Sequence, residues 1–295
     1  MSLLHRERFA LPTGVELDVT IGGDKGNPPI FFLHGFPESS RTWRHQMEDL
    51  ARDYFVVAPD QRGFARSSKP LGVENYTHDK PVADLFALAD ALGIETFTLV
   101  GHDWGGAIAW AAALGNPTRV TRLAIVNAPH PFVFQKSMFD DMGQREASHY
   151  ISAFRVPGME DYLNARMDHF FDKTFGHSGV GPETSAEERA AYIDEWSQPG
   201  AILAMLNWYR GSSLVVPAMD ATPERPAYLD LPFPVLETPT LVVWGMGDKA
   251  LTPSQLEGLD DLVADLTLVK VPDAGHFVTW EKPEAVTAAL RAFLA

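Results

Sequence analysis

Residues Gly101-His102-Asp103-Trp104-Gly105-Gly106 follow a strand-like run at 96–100 and precede a helix-like run at 107–114. In this Gly-x-nucleophile-x-Gly layout, small residues allow a sharp strand-to-helix turn that lifts the central side chain out over a sheet. The central residue is Asp103, not serine. A carboxylate is ionised at neutral pH and needs no base to become a nucleophile. The spacing alone fits equally well an aspartate that caps the following helix. A base and an acid to orient it are available further along: Asp248 in Gly245-Met246-Gly247-Asp248 and His276 in Asp273-Ala274-Gly275-His276, each just after a strand-like run. Earlier, His34-Gly35-Phe36-Pro37 follows another such run. The backbone N–H groups of Phe36 and Trp104 would pair as donors to a developing oxyanion; a plain proline turn is the alternative at Phe36.

These residues need a scaffold that brings strand ends together. Short apolar runs at 30–33, 55–58, 97–100 and 123–126 suit strands buried on both faces of a parallel sheet, and the alternation resumes with strands expected at 241–244 and 266–271. Between them, Val82, Leu85, Phe86 and Ala89 fall on one face of an amphipathic helix, and helix-like patterns recur at 253–263 and 283–293. The alternation breaks after Pro129. From Phe132 to Leu214 the chain is helix-rich and aromatic, and residues 217–239 hold six prolines, too many for regular structure. The expected organisation is an α/β core at 1–131 and 217–295 with a helical cap, or lid, at 132–216 inserted between two core strands. The candidate residues then lie at the ends of parallel strands, where open α/β sheets hold their sites.

Composition narrows the function. The 295 residues carry 39 acidic against 24 basic side chains, net −15, which excludes a nucleic-acid partner. No apolar run approaches a membrane span, and the charged residues His5 to Arg8 interrupt what would be a signal peptide, so a cytoplasmic protein with no membrane partner is expected. The absence of cysteine excludes disulfides, zinc-thiolate sites and a cysteine nucleophile. No His-Glu-x-x-His or similar ligand spacing occurs, and no cofactor or metal is expected.

With these residues in view, the sequence resembles an α/β-hydrolase of the epoxide hydrolase branch over nearly its whole length. The shared motifs are His34-Gly35-Phe36-Pro37-Glu38-Ser39, Asp60-Gln61-Arg62-Gly63 and Gly101-His102-Asp103-Trp104-Gly105-Gly106, with the paired loops at Asp248 and His276. The resemblance implies an α/β-hydrolase fold, with Asp103 as nucleophile, Asp248 and His276 completing a triad, and Phe36 and Trp104 forming the oxyanion hole and, with Trp208, contacting substrate. It also implies two lid tyrosines that hydrogen-bond the epoxide oxygen: Tyr150 in His149-Tyr150-Ile151-Ser152-Ala153-Phe154-Arg155-Val156-Pro157-Gly158 and Tyr209 in Leu206-Asn207-Trp208-Tyr209-Arg210, with Tyr162 and Tyr192 as other lid candidates. The implied reaction opens an epoxide to a 1,2-diol through a covalent ester on Asp103, which a water activated by His276 and Asp248 then hydrolyses.

Related haloalkane and haloacetate dehalogenases use the same nucleophile and are the alternative. Their marks are missing: Phe36 stands where an asparagine binds halide, Trp104 where an arginine holds a carboxylate, and Asn127 at the strand end that sometimes supplies the triad acid. A receptor that has lost activity would be expected to lack a triad member, and an esterase to carry serine or cysteine at position 103. The lid aromatics Phe132, Phe134, Phe139, Phe154, Trp196 and Trp208 suggest an apolar pocket, hence an apolar or aromatic small-molecule epoxide; monomer and homodimer are both open. Arg62 and Arg66 are expected to hold a core loop, and Ala65 between them replaces a glycine common in relatives.

Overall fold

The computed structural model describes residues 3–176 and 184–295; part of the expected cap, 177–183, lies outside the described residues. Eight strands form one sheet: β1 (Leu4–Ala10), β2 (Glu16–Gly22), β3 (Pro29–Leu33), β4 (Phe55–Pro59), β5 (Phe97–His102), β6 (Val120–Val126), β7 (Thr240–Gly245) and β8 (Leu266–Val271). Their spatial order is β1-β2-β4-β3-β5-β6-β7-β8. Pairing is antiparallel for β1 with β2 and β2 with β4, and parallel everywhere else.

The helices are α1 (Arg44–Leu50), α2 (Asp79–Ala91), α3 (Trp104–Gly115), α4 (Pro131–Asp140), α5 (Met142–Ala147), α6 (Tyr150–Phe154), α7 (Met159–Asn164), α8 (Met167–Phe175), α9 (Ala186–Trp196), α10 (Ala201–Arg210), α11 (Val278–Glu281) and α12 (Pro283–Leu294). The runs at 30–33, 55–58, 97–100, 123–126 and 241–244 are strands because both sheet faces are covered there, whereas 266–271 forms an edge strand with only Val271 buried. Phe31 and Leu33 point into a core shared with Leu85 and Leu88 of α2 and Ile108 of α3. The alternate residues Ile30 and Phe32 point into a second core, with Met47 of α1 and Leu290 of α12.

Helices α4 to α10 stand between β6 and β7, which are neighbours in register, Val126 opposite Val243. The helical segment therefore leaves and re-enters the sheet at adjacent strand ends. Since β3 ends at Leu33, level with Gly101, and His102 pairs with Val126, the loops after β3, β5, β6, β7 and β8 share one edge of the sheet.

Three features differ from the sequence reading. Strands β1 and β2 extend the sheet where no strand is expected. The helix-like 253–263 is two 3₁₀ turns, Pro253–Leu256 and Leu259–Asp261, parted by Gly258 at φ 73°; the left-handed glycine ends one turn before the next begins. Arg62 does hold a core loop, bidentate to Asp84 at 2.6 and 2.7 Å and donating to the Asn75 carbonyl. Arg66 instead reaches across to Asp194 of α9, an exposed pair.

Candidate active site

Asp103 sits at the turn from β5 into α3 with φ 50° and ψ −122°, and its side chain makes no hydrogen bond to the helix it precedes. That removes the helix-cap reading. A non-glycine residue in this backbone region is strained, and strain of this kind persists where the surrounding structure imposes it. The crowding is visible at two glycines: a Cβ at Gly105 would collide with the Leu33 carbonyl oxygen, and one at Gly35 with the Asp103 side chain itself. The loop after β3 thus closes on the carboxylate, and the Phe36 N–H donates to Asp103 Oδ1 at 2.7 Å. Trp104 is the first residue of α3, so its N–H has no partner within the helix and lies at the helix's positive end.

Behind the carboxylate, His276 Nε2 lies 3.6 Å from Asp103 Oδ2, and its Nδ1 hydrogen-bonds Asp248 Oδ2 at 2.8 Å. Asp248 is buried and fully satisfied: Oδ1 accepts from the Ala250 and Leu251 N–H groups, and Oδ2 also accepts from Asn127 Nδ2 at 2.8 Å. Burial pushes the Asp248 carboxyl up, but the His276 charge, its hydrogen bond and the donors from Leu251 and Asn127 outweigh that and hold it below its ordinary value. Burial pushes His276 down. The Asp248 charge and hydrogen bond, followed by the Asp103 charge, overcome this and raise the imidazole to about 9. The two partners agree: an ion pair stabilises both charged forms.

The helical segment supplies the opposite wall. Tyr150 begins α6 and Tyr209 lies near the end of α10; their rings are 6.1 Å apart and edge-on, and the Tyr209 ring lies edge-on to Trp104 at 5.2 Å. Burial foremost, with the Asp103 charge adding to it, raises both phenols well above their ordinary value, so both remain protonated donors. Two cavities meet here, of about 460 and 490 Å³, and Asp103, Tyr150 and Tyr209 line both. His276, Asp248 and Phe36 line the first; Trp104 and Trp208 line the second. Trp208 is anchored by Nε1 donating to the Arg62 carbonyl at 3.0 Å. The eight predicted site residues therefore converge on Asp103.

The other lid tyrosines stand elsewhere. Tyr162 is half exposed on the first cavity, under the Arg166 guanidinium. Tyr192 is buried away from both cavities, its ring stacked on Trp280 and its hydroxyl toward Glu38. Of the lid aromatics, Phe154 lines the first cavity and Phe134 and Trp208 the second. Phe132 packs on Phe233, Trp196 donates to the Pro37 carbonyl, and Phe139 reaches neither cavity, so these three are packing residues.

Two residues gain a role that the sequence did not assign them. Asn127, at φ 39° just past β6, bridges the Gly245 N–H, accepted by its Oδ1, and the Asp248 carboxylate. A polar residue at the end of a parallel strand was the available signal. Arg155 donates from Nε to the Tyr209 carbonyl and from Nη2 to the Leu214 carbonyl, so the segment carrying Tyr150 also holds the end of the helix carrying Tyr209. No motif marks it.

A hydrolase constellation on a parallel sheet has many relatives. A family model described as alpha/beta hydrolase fold matches residues 28–283. The chain belongs to that family, and it is a hydrolase. It is 32% identical over 291 residues to epoxide hydrolase 3 of Xenopus tropicalis, covering 96% of this chain and 75% of that one. A solved structure described as one of novel epoxide hydrolases from metagenomes of hot environments is 47% identical, with a TM-score of 0.87, 99% of this chain and 98% of the other covered. The epoxide hydrolase of Bacillus megaterium in complex with an inhibitor is 30% identical, with a TM-score of 0.83 over 98% and 99% of the two chains.

Proposed function

We propose that the protein hydrolyses epoxides to 1,2-diols through an ester on Asp103. The observation that carries this reading is one carboxylate on a strained turn with two buried phenol donors on one side and a His–Asp pair on the other. Phenols suit the oxygen of an opening epoxide, because charge develops there and donors already in place stabilise it.

Asp103 attacks an epoxide carbon, the ring C–O bond breaks, and Tyr150 and Tyr209 donate to the oxygen, which takes up a proton supplied ultimately by His276. The negative charge of Asp103 disappears as the ester forms. That charge is one of those holding His276 protonated, so its loss favours the neutral imidazole. His276, oriented by Asp248, then takes a proton from water as the oxygen bonds to the ester carbonyl carbon. The Phe36 and Trp104 N–H groups hold the oxyanion. Collapse releases the diol and restores the Asp103 carboxylate beside a protonated His276, and the proton count closes.

The test is product analysis with styrene oxide, with Asp103→Ala as blank and fluoro- or chloroacetate as a parallel substrate. Diol that vanishes in the variant is expected; halide release without diol would overturn the reading in favour of a dehalogenase. His276→Ala is expected to accumulate a substrate-sized adduct on the Asp103 peptide.

A further inference from the structure

The two cavities that meet at Asp103 differ in charge. Asp103 aside, the second is lined by no Asp, Glu, Lys or Arg; its walls are residues such as Ile108, Leu114, Phe134 and Trp208. The first has apolar walls at Phe36, Phe154 and Leu163, but Arg166, Lys173 and Lys249 also line it, together with His169. These four are exposed, whereas Asp103 and Asp248 are nearly or fully buried, so the cavity runs from a cationic rim to the carboxylates. In a chain of net charge −15, a rim with three basic and no acidic side chains runs against the average.

Helix α8 accounts for the sorting. Arg166, His169, Phe170, Lys173 and Thr174 recur at i, i+3, i+4, i+7 and i+8, which is one helical face, and all five line the cavity. The acidic residues of the same helix, Asp168 and Asp172, fall outside that face, and Arg189 of α9 pairs with both, at 3.0 and 2.6 Å. Arg166 lies over the Tyr162 ring, 4.3 Å from its centre. Among the described residues no carboxylate pairs with Arg166, Lys173 or Lys249.

We propose that this face of α8, with Lys249, holds an anionic group on the substrate: a carboxylate or comparable anion at the rim of the first cavity, the epoxide at Asp103, and an apolar group in the second cavity. The proposal rests on the epoxide reading above and specifies its substrate class. A cationic rim gathers anionic ligands that the net charge of the protein otherwise repels. Because the rim is solvated, its selectivity is modest and sensitive to salt.

The test compares the terminal epoxide of undecenoic acid with that of its primary amide, two substrates of equal length one charge apart. With the full-length protein at low ionic strength, kcat/KM is expected to favour the acid by about three- to ten-fold, the scale of a few exposed charge contacts. The ratio should fall towards one in ~1 M salt, where the Debye length is ~3 Å, and in an Arg166→Gln, Lys173→Gln double variant. Equal turnover of acid and amide overturns the proposal and leaves the epoxide reading standing. An acid preference that persists in the double variant overturns the assignment to α8. Turnover of neither compound, with styrene oxide also untouched, overturns the epoxide reading and the proposal with it.

Discussion

Replacing Asp103 by asparagine should lower the pKa of His276 by about one to two pH units from its value near 9. The variant keeps the shape of the carboxylate and removes its charge, as esterification would. Across the 3.6 Å between Asp103 Oδ2 and His276 Nε2, two unit charges interact by about 1 kcal/mol in water and about 4 to 5 kcal/mol at an effective dielectric of 20. The site is enclosed but two cavities reach it, so a value of about 1.4 to 2.7 kcal/mol is expected, or one to two pH units. The remaining elevation belongs to Asp248, whose charge and hydrogen bond come ahead of Asp103 among the groups that raise the imidazole; Asp248→Asn should therefore produce the larger fall. Nitrogen-15 NMR of labelled histidine, titrated from pH 5 to 10, reads the midpoint directly, and intact mass at the end confirms that the amide survived. A His276 midpoint still near 9 in Asp103→Asn would refute the charge coupling. The proposed switch of His276 from acid to base would then lose its cause.

Other outcomes follow from the same geometry. Tyr209→Phe should slow ester formation by about 10²- to 10³-fold, the usual cost of one preorganised oxyanion donor, with ester hydrolysis little changed; single-turnover mass spectrometry separates the two steps. Asn127→Ala removes a donor to the buried Asp248 carboxylate. Hydrogen bonds to charged groups are worth about 1.5 to 3 kcal/mol, so ester hydrolysis should slow by about ten- to a hundred-fold and the adduct should accumulate. Ala65 is held at φ 42°, where a Cβ costs about 1 to 2 kcal/mol. Against the extra entropy of an unfolded glycine, about 0.5 to 1 kcal/mol, Ala65→Gly should raise stability by up to about 1 kcal/mol in urea unfolding, with an unchanged m-value. Because the folded pKa of His276 is raised, its stabilisation is complete below about 6.5 and is lost as pH rises towards about 9. The loss amounts to at most about 3.4 kcal/mol, and His276→Gln should flatten the stability curve across that window.

The parallel core was legible because β3, β4, β5, β6 and β7 are largely buried on both faces and read as apolar runs, while β8, an edge strand, is mostly exposed. Strand β1 gave no such signal: it is an edge strand with His5, Arg6, Glu7 and Arg8 exposed, and charge on an edge discourages unwanted pairing. Strand β2 did carry one, the alternation of Leu17, Val19 and Ile21, all buried. Asp18 and Thr20 stand at the alternate positions, the period of two expected of a strand, and Arg6 of β1 donates to the Asp18 carboxylate at 3.0 Å. At the site, residues whose roles follow from type and strand-end position could be located from sequence, Asp103, Asp248 and His276 among them. Asn127 and Arg155 stand in segments the sequence singles out, but their roles do not follow from residue type, because each is defined by the partner it meets in the fold, Asp248 and Tyr209 respectively. That long-range pairing exists only once the sheet and the helical segment are assembled.

The 3.6 Å separation of His276 from Asp103 bears on why an aspartate suits this turn. A serine nucleophile must surrender its proton, so its base has to sit within hydrogen-bond distance of it. The separation here lies outside that range, and an ionised carboxylate has no proton to give. In the proposed reaction His276 is thus released from the first step as a base and kept for the second. The Phe36 N–H already bonds to Oδ1 at 2.7 Å in the unmodified site, which leaves Oδ2 as the oxygen to attack and Oδ1 as the future ester carbonyl, already seated in its donor. Whichever oxygen attacks, a single turnover through the proposed ester in water enriched in oxygen-18 should place the label on Asp103, because water adds to the carbonyl carbon and the attacking oxygen departs with the diol. Label found only in the diol, with Asp103 unlabelled, would show direct attack of water on the epoxide and would leave the strained turn without a chemical purpose.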